Sequence, residues 1–201
     1  MKIPDLPLLF ILALAIPACE QKECACPIDP AIAHENDSNL HAYMNSEWAK
    51  TKWVQMSEPV LFLQNKEAYR FSYTILVGGS AKSYRVEQDG GNYMLFTKEH
   101  TVQGMTDSLI SSYSRRITKK EWREIRNAFR DNCFWTMPIT LKRDMEILDG
   151  VSCLLEGFNP EKNNCTNATY HAVSRLSPDD TTKFAMISEK FMALERKNET
   201  E

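Results

Sequence analysis

Between positions 149 and 178 the chain reads DGVSCLLEGFNPEKNNCTNATYHAVSRLSP, which places Asp149, Glu156, Tyr170, His171 and Arg175 within thirty residues. A carboxylate and an imidazole brought side by side can exchange a proton, so Glu156 and His171 are the candidate acid/base residues. Cys153 with His171 is the candidate nucleophile pair, because a thiol attacks only as the thiolate and needs a neighbouring base. No Gly-rich phosphate loop, G-x-S-x-G elbow, H-E-x-x-H motif or haem-attachment motif occurs in the sequence. No cofactor and no metal site is therefore expected.

These residues must be positioned by a hairpin. Residues 151–157 and 170–176 both alternate, and pairing Leu155 with Ala172 would set Glu156 across from His171 and Ser152 across from Arg175. In that register Glu156, His171 and Arg175 form a polar cluster that fixes the hairpin; it could alternatively serve an exported hydrolase through Glu156/His171 or Cys153/His171.

The preceding chain supplies a sheet. In YRFSYTILV, Tyr69, Phe71, Tyr73, Ile75 and Val77 recur with period two, and Gly78-Gly79 ends the run. SYRVEQ, the Asp89-Gly90-Gly91-Asn92 turn and YMLFTKE make a hairpin, and residues 108–116 suit a fourth strand. The period then changes to 3.6. Thr118-Lys119-Lys120-Glu121 has the form of a capping box, and Trp122, Ile125 and Phe129 fall on one helical face. Phe134 and Trp135 should plug the edge of the core before Pro138. A last helix is expected from Ser177 as N-cap with Pro178 at its first position, its apolar face being Phe184, Ile187, Phe191 and Leu194. Four strands, a helix, two strands and a helix predict an α+β fold: an antiparallel sheet, meander plus C-terminal hairpin, with two helices packed on it. The expected single domain is 59–197.

The N-terminus has a different character. MKIPDLPLLFILALAIPACE carries one Lys and about eleven apolar residues, too few to cross a bilayer but suited to a secretory signal over residues 1–18. Ile16-Pro17-Ala18-Cys19 resembles the lipobox of bacterial lipoproteins, which implies that Cys19 carries the acyl chains; the alternative is an ordinary cleaved signal and a secreted protein. Residues 19–58 are polar and without sustained period, so they read as a tether, with a short helix around Trp48–Trp53. Export makes Cys133, Cys153 and Cys165 candidates for disulfide formation, whereas Cys24-Ala25-Cys26 is too tight for a bridge within itself. Sequons at Asn36, Asn164, Asn167 and Asn198 would mark glycosylated surface in a eukaryotic secreted protein.

Of the 201 residues, 43% are hydrophobic, enough for a core, and the net charge of −3 comes without any block of like charge. That removes the electrostatic case for nucleic-acid binding.

Tyr69-Arg70-Phe71, Tyr84-Arg85-Val86, the segment ITKKEWREIRNAF, Phe134-Trp135 with Pro138, Asp149-Gly150, Leu155-Glu156-Gly157, Tyr170-His171 and Arg175-Leu176-Ser177-Pro178 form an ordered series. Over residues 67–195 this series resembles an uncharacterised bacterial domain of exported or lipid-anchored proteins. The resemblance implies a fold and a location in the cell envelope but no reaction; Glu20 after Cys19, being other than Asp, leaves the outer membrane open as the destination in a Gram-negative host. Cys153 stands where that family usually has an aromatic residue and the loop from Phe158 to Thr169 is longer than usual, which implies a local Cys153–Cys165 bridge. The expected role is a non-catalytic envelope protein, membrane-attached through its lipid, with an envelope protein or polymer as partner.

Overall fold

The computed structural model describes residues 26, 30–46, 53, 56–75, 77, 79–103, 106–140, 150–161, 168–179 and 181–196. The signal segment 1–18, Cys19, Cys24, Asp149, Cys165 and the sequons at Asn164, Asn167 and Asn198 lie outside them.

The α+β reading holds: six strands form one antiparallel sheet, with helices packed on it. The strands are β1 (Ala68–Ile75), β2 (Ser80–Asp89), β3 (Asn92–Gln103), β4 (Thr106–Arg116), β5 (Val151–Phe158) and β6 (Tyr170–Leu176), in spatial order β4-β3-β2-β1-β5-β6. β1 to β4 run as a meander. The C-terminal hairpin then adds to the free side of β1, so β1 sits centrally between β2 and β5. Gly90 and Gly91 turn β2 into β3 with φ of 53° and 87°, values that residues with a Cβ seldom adopt.

One sheet face carries Tyr69, Phe71, Tyr84, Val86, Leu95, Cys153, Leu155 and Val173. Two helices cover it, α2 (Lys119–Asp131) and α3 (Lys183–Arg196). The capping box of α2 is formed as its sequence predicts: Glu121 N–H donates to Thr118 Oγ1 at 3.1 Å, and Thr118 N–H donates to Glu121 Oε2 at 2.8 Å. Trp122, Ile125 and Phe129 face inward with Phe184, Ile187, Phe191 and Leu194 from α3. Phe134 and Trp135, on a 3₁₀ turn (Phe134–Thr136), close the end of this core. Gly157 is required there, since a Cβ at that position would stand 2.9 Å from the Phe134 ring.

α3 starts later than expected. Ser177 still donates its N–H to Val151 O and has a φ of 45°, so it ends the sheet and does not cap a helix. Asp179 then folds Thr181 and Thr182 into a turn, and Thr182 Oγ1 accepts the Ala185 N–H as the N-cap.

The opposite sheet face is where the expected tether and domain boundary are corrected. The N-terminal segment carries a helix that the sequence reading did not expect, α1 (Pro30–Asn45); of the helix expected around Trp48–Trp53, residues 48–52 lie outside the described residues and Trp53 is helical. Leu40, Tyr43 and Met44 of α1 pack against Leu61, Ala68, Phe158, Tyr170 and Ala172. Trp53, Met56 and Glu58 are buried, with Trp53 and Met56 against Ala81. Residues 30–58, where described, are thus a strap across the second face, and β1, β2 and β5 are covered on both sides.

The disulfide expectation holds for Cys133 and is corrected for Cys153. Cys133 bonds to Cys26, 107 positions away, and Cys153 is a buried free thiol; Cys165 lies outside the described residues. Cys133 sits just past the C-terminal end of α2, so the bridge pins the start of the strap to the helix layer. In a chain-entropy account, a loop of this length stabilises the fold by up to roughly 4–5 kcal/mol.

Candidate functional site

The hairpin register decides what the opening stretch can do. Leu155 pairs with Val173, Glu156 with Ala172 and Gly157 with His171, one residue away from the register that would set Glu156 opposite His171. Because strand side chains alternate, that single step puts the two on opposite faces of the sheet. The predicted Glu156–His171–Arg175 cluster does not form: Glu156 points to the strap, and His171 and Arg175 point to the helix layer. Cys153 shares a face with His171, but it pairs with Arg175, four positions along the strand. At roughly 3.3 Å per residue the two α-carbons are separated by about 13 Å, beyond any thiol–imidazole hydrogen bond. Burial also pushes the Cys153 thiol up to about 11, away from the thiolate.

Each of these side chains is held by a specific partner. The His171 imidazole Nε2 stands 3.0 Å from Met137 O, so it carries the proton on Nε2 and donates there. Arg175 donates to the carbonyls of Pro138 (3.0 Å), Ile139 (3.2 Å) and Ser174 (2.6 Å), and its guanidinium lies 5.9 Å from the Phe184 ring. Ser174 N–H bonds Ile139 O at 2.7 Å. From the strap, Asn36 Nδ2 donates to Met137 O at 2.9 Å and Asn36 Oδ1 accepts from Ile139 N–H at 3.0 Å. Residues 137–139 are thereby fastened along β6 and cover that edge of the sheet. Asn36 is 6% exposed and its amide nitrogen is engaged, so this sequon cannot carry a glycan in the folded chain.

Glu156 belongs to a charged row that the sequence reading missed. Its cross-strand partner on β1 is Arg70, whose Nε donates to Glu156 Oε2 at 2.7 Å and whose Nη2 forms an ion pair with the same oxygen at 2.6 Å. Tyr170 OH donates to Glu156 Oε1 at 2.7 Å. On the other side of β1, Arg70 pairs directly with Arg85 of β2, two cations in adjacent strands. Glu58 of the strap lies between them, 2.9 Å from Arg85 Nε and 3.6 Å from Arg70 Nη1. Lys98 approaches Glu58 at 3.5 Å and also donates to Ser57 O; Arg85 continues the row to Glu87, which Lys66 holds at 2.6 Å. Trp53 stacks on the Arg70 guanidinium at 3.4 Å and donates its indole N–H to Tyr43 OH at 3.1 Å. The Tyr43 and Tyr170 phenols are pushed well above the usual range by burial and by the charge of Glu156, so both remain protonated.

Arg70, Glu58 and Glu156 have no exposed side-chain surface. A carboxylate so enclosed, with both oxygens engaged, has no route to a substrate proton; the row joins strap to sheet. Among the described residues no three or more His, Cys, Asp or Glu side chains group as a metal site, and no helix is long and apolar enough to cross a membrane. The signal that could have located the row is the repeat Tyr-Arg-Phe and Tyr-Arg-Val: each Arg stands between two core residues of a central strand and so requires a buried carboxylate.

Two outcomes follow. Arg70→Met should lower the unfolding free energy in urea by about 3–5 kcal/mol, because Glu156 is left buried without its cation. Adding Glu156→Gln should restore about 1–3 kcal/mol of that loss, whereas two additive losses would contradict the pairing. The His171 imidazole is lowered from 6.5 to about 4 mainly by burial, opposed by the bond to Met137 O, with nearby Arg175 adding to the depression. The unfolded chain then binds the proton more readily, so this contribution is complete above about pH 6.5 and lost as pH falls toward 4, on the order of 3 kcal/mol in all. The difference in urea stability between the parent and His171→Gln should therefore shrink from pH 7 to pH 4.5; a difference that stays constant would contradict a buried neutral imidazole.

No family model matches the chain, and no curated protein matches it.

Proposed function

We propose that this chain is an exported, lipid-anchored protein of the cell envelope whose domain acts by contact with an envelope protein or polymer and not by catalysis. The observation that carries the reading is the Cys26–Cys133 bridge, since such bonds persist in oxidising compartments and seldom in the cytosol. It agrees with the apolar N-terminal run and the lipobox-like Ile16-Pro17-Ala18-Cys19. The lipid on Cys19 provides the membrane attachment, at the outer membrane in a Gram-negative host; ordinary cleavage would instead leave a secreted protein. The likeness to the uncharacterised exported bacterial domain points the same way.

Action by contact is favoured because Glu156, His171 and Arg175 each spend their hydrogen-bonding capacity on the fold, and Cys153 is buried. Both sheet faces are covered over β1, β2 and β5, so a partner has more to grasp at the opposite edge. There, Leu109, Ile110 and Tyr113 of β4 are about half exposed.

Replacing Cys19 tests the anchor. Cys19→Ala should move the protein from the membrane fraction to the soluble fraction, because acylation is the only strong anchor this sequence offers. Continued sedimentation with membranes would overturn the reading.

A further inference from the structure

The distance between the proposed anchor and the folded domain is set by the disulfide. A tether of residues 19–58 would let the domain stand on the order of 100 Å from the bilayer. Cys26, however, is bonded to Cys133 and lies only seven positions after Cys19. Fully extended, seven residues span about 25 Å. The domain can therefore not stand clear of the membrane, and the part held nearest is the part carrying Cys133.

That part is the helix layer. Cys133 follows the end of α2, and Lys183 Nζ at the start of α3 lies 3.3 Å from its sulfur, so the bridge sits where the two helices meet. The exposed positions of α2 and α3 carry eight Lys and Arg against three carboxylates, Glu124, Asp131 and Glu189. Arg126 and Arg130 pair with Glu67 and Asp131, while Lys119, Lys120, Arg123 and Lys190 face solvent. The chain as a whole has a net charge of −3, so positive charge is concentrated on this one layer. A surface so charged, tethered within about 25 Å of lipid headgroups, is drawn into the range of about 8 Å over which exposed charges attract at physiological salt.

We infer that the outer surface of the α2/α3 layer docks on an anionic bilayer surface, with the Cys26–Cys133 bridge as the device that holds it there. The inference rests on the lipid-anchor reading of Cys19. It assigns the strap a second role, since the bridge converts a long leash into a short one. The β4 edge, on the far side of the sheet from β6, is left available to a partner.

The test uses the full chain matured in a bacterial host that processes lipoproteins, bound to the outside of preformed vesicles. One set of vesicles is phosphatidylcholine alone, the other contains phosphatidylglycerol. Lysines are footprinted with a water-soluble acylating reagent and read by mass spectrometry, with Lys66 as the internal reference. The expected result is flotation with both vesicle types and a several-fold loss of labelling at Lys119, Lys120 and Lys190 on the anionic vesicles alone, reversed by high salt. Cys26→Ser with Cys133→Ser, checked for folding by circular dichroism, should keep flotation and lose much of that protection. Flotation with equal labelling of the helix lysines on both vesicle types would overturn the docking surface and leave the anchor standing. Failure to float on phosphatidylcholine would overturn the anchor and the docking inference together.

Discussion

Two guanidiniums in neighbouring strands, Arg70 and Arg85, cannot share the interior of a protein unless a carboxylate is inserted between them, and Glu58 is that carboxylate. The strands supply none between the two, since Glu87 of β2 pairs with Arg85 and not with Arg70. The opposing position on β5 already holds Glu156, which satisfies Arg70 from the other side, and β3 places Phe96 under Arg85 at 4.1 Å. The compensating charge has to come from above the sheet, on a segment that also excludes water so that the contact is strong. The strap with Trp53, Pro59 and Tyr43 does both, stacking on Arg70 and accepting a hydrogen bond at Pro59 O. Strap and sheet are thus mutually dependent: without the strap the arginines would be adjacent like charges, and without the arginines Glu58 would be a buried anion.

From that constraint the rest of the architecture follows. A sheet with a packed helix layer on one side and a charged row under a strap on the other has both faces enclosed over β1, β2 and β5. Asn36 and the bridge at Cys26 route the strap around the β6 side, where residues 137–139 already cover the edge. The residues best suited to chemistry, Glu156 and His171, are drawn into two separate enclosures. Glu156 becomes a strut between strands and His171 a donor to a loop carbonyl. An active site requires polar groups that converge on open space, and here the same groups are directed at the backbone and at one another.

The parts of this structure that were legible in the sequence are those decided locally. Thr118 and Glu121 cap α2 because their side chains reach each other within one turn, and Trp122, Ile125 and Phe129 declare its buried face. Gly90 and Gly91 announce the β2–β3 turn through the φ values they permit. The register of β5 with β6 was not legible, because hydrophobic alternation fixes register only where one face is wet. With Tyr170 and Ala172 buried on one side and His171 and Val173 on the other, both pairings look equally good. The strap was hidden for a related reason. α1 has little amphipathic pattern, and its one fully enclosed side chain is polar, Asn36, which docks by two hydrogen bonds to backbone over 100 positions away. Ser177-Pro178 imitates a helix start, but the pull of β5 on Ser177 N–H is a tertiary contact that no local pattern carries.

Native-state hydrogen exchange gives the most direct test of whether the N-terminal segment is part of the fold. The account predicts that amides of α1 and the Glu58 amide, which donates to Trp53 O at 2.7 Å, open only in the same global event as the amides of β1 and β5, so that their exchange free energies merge as denaturant is added. Exchange of α1 and Glu58 at a free energy far below that of β1, with the sheet still protected, would show that residues 30–58 are a tether and that the charged row does not hold the two together.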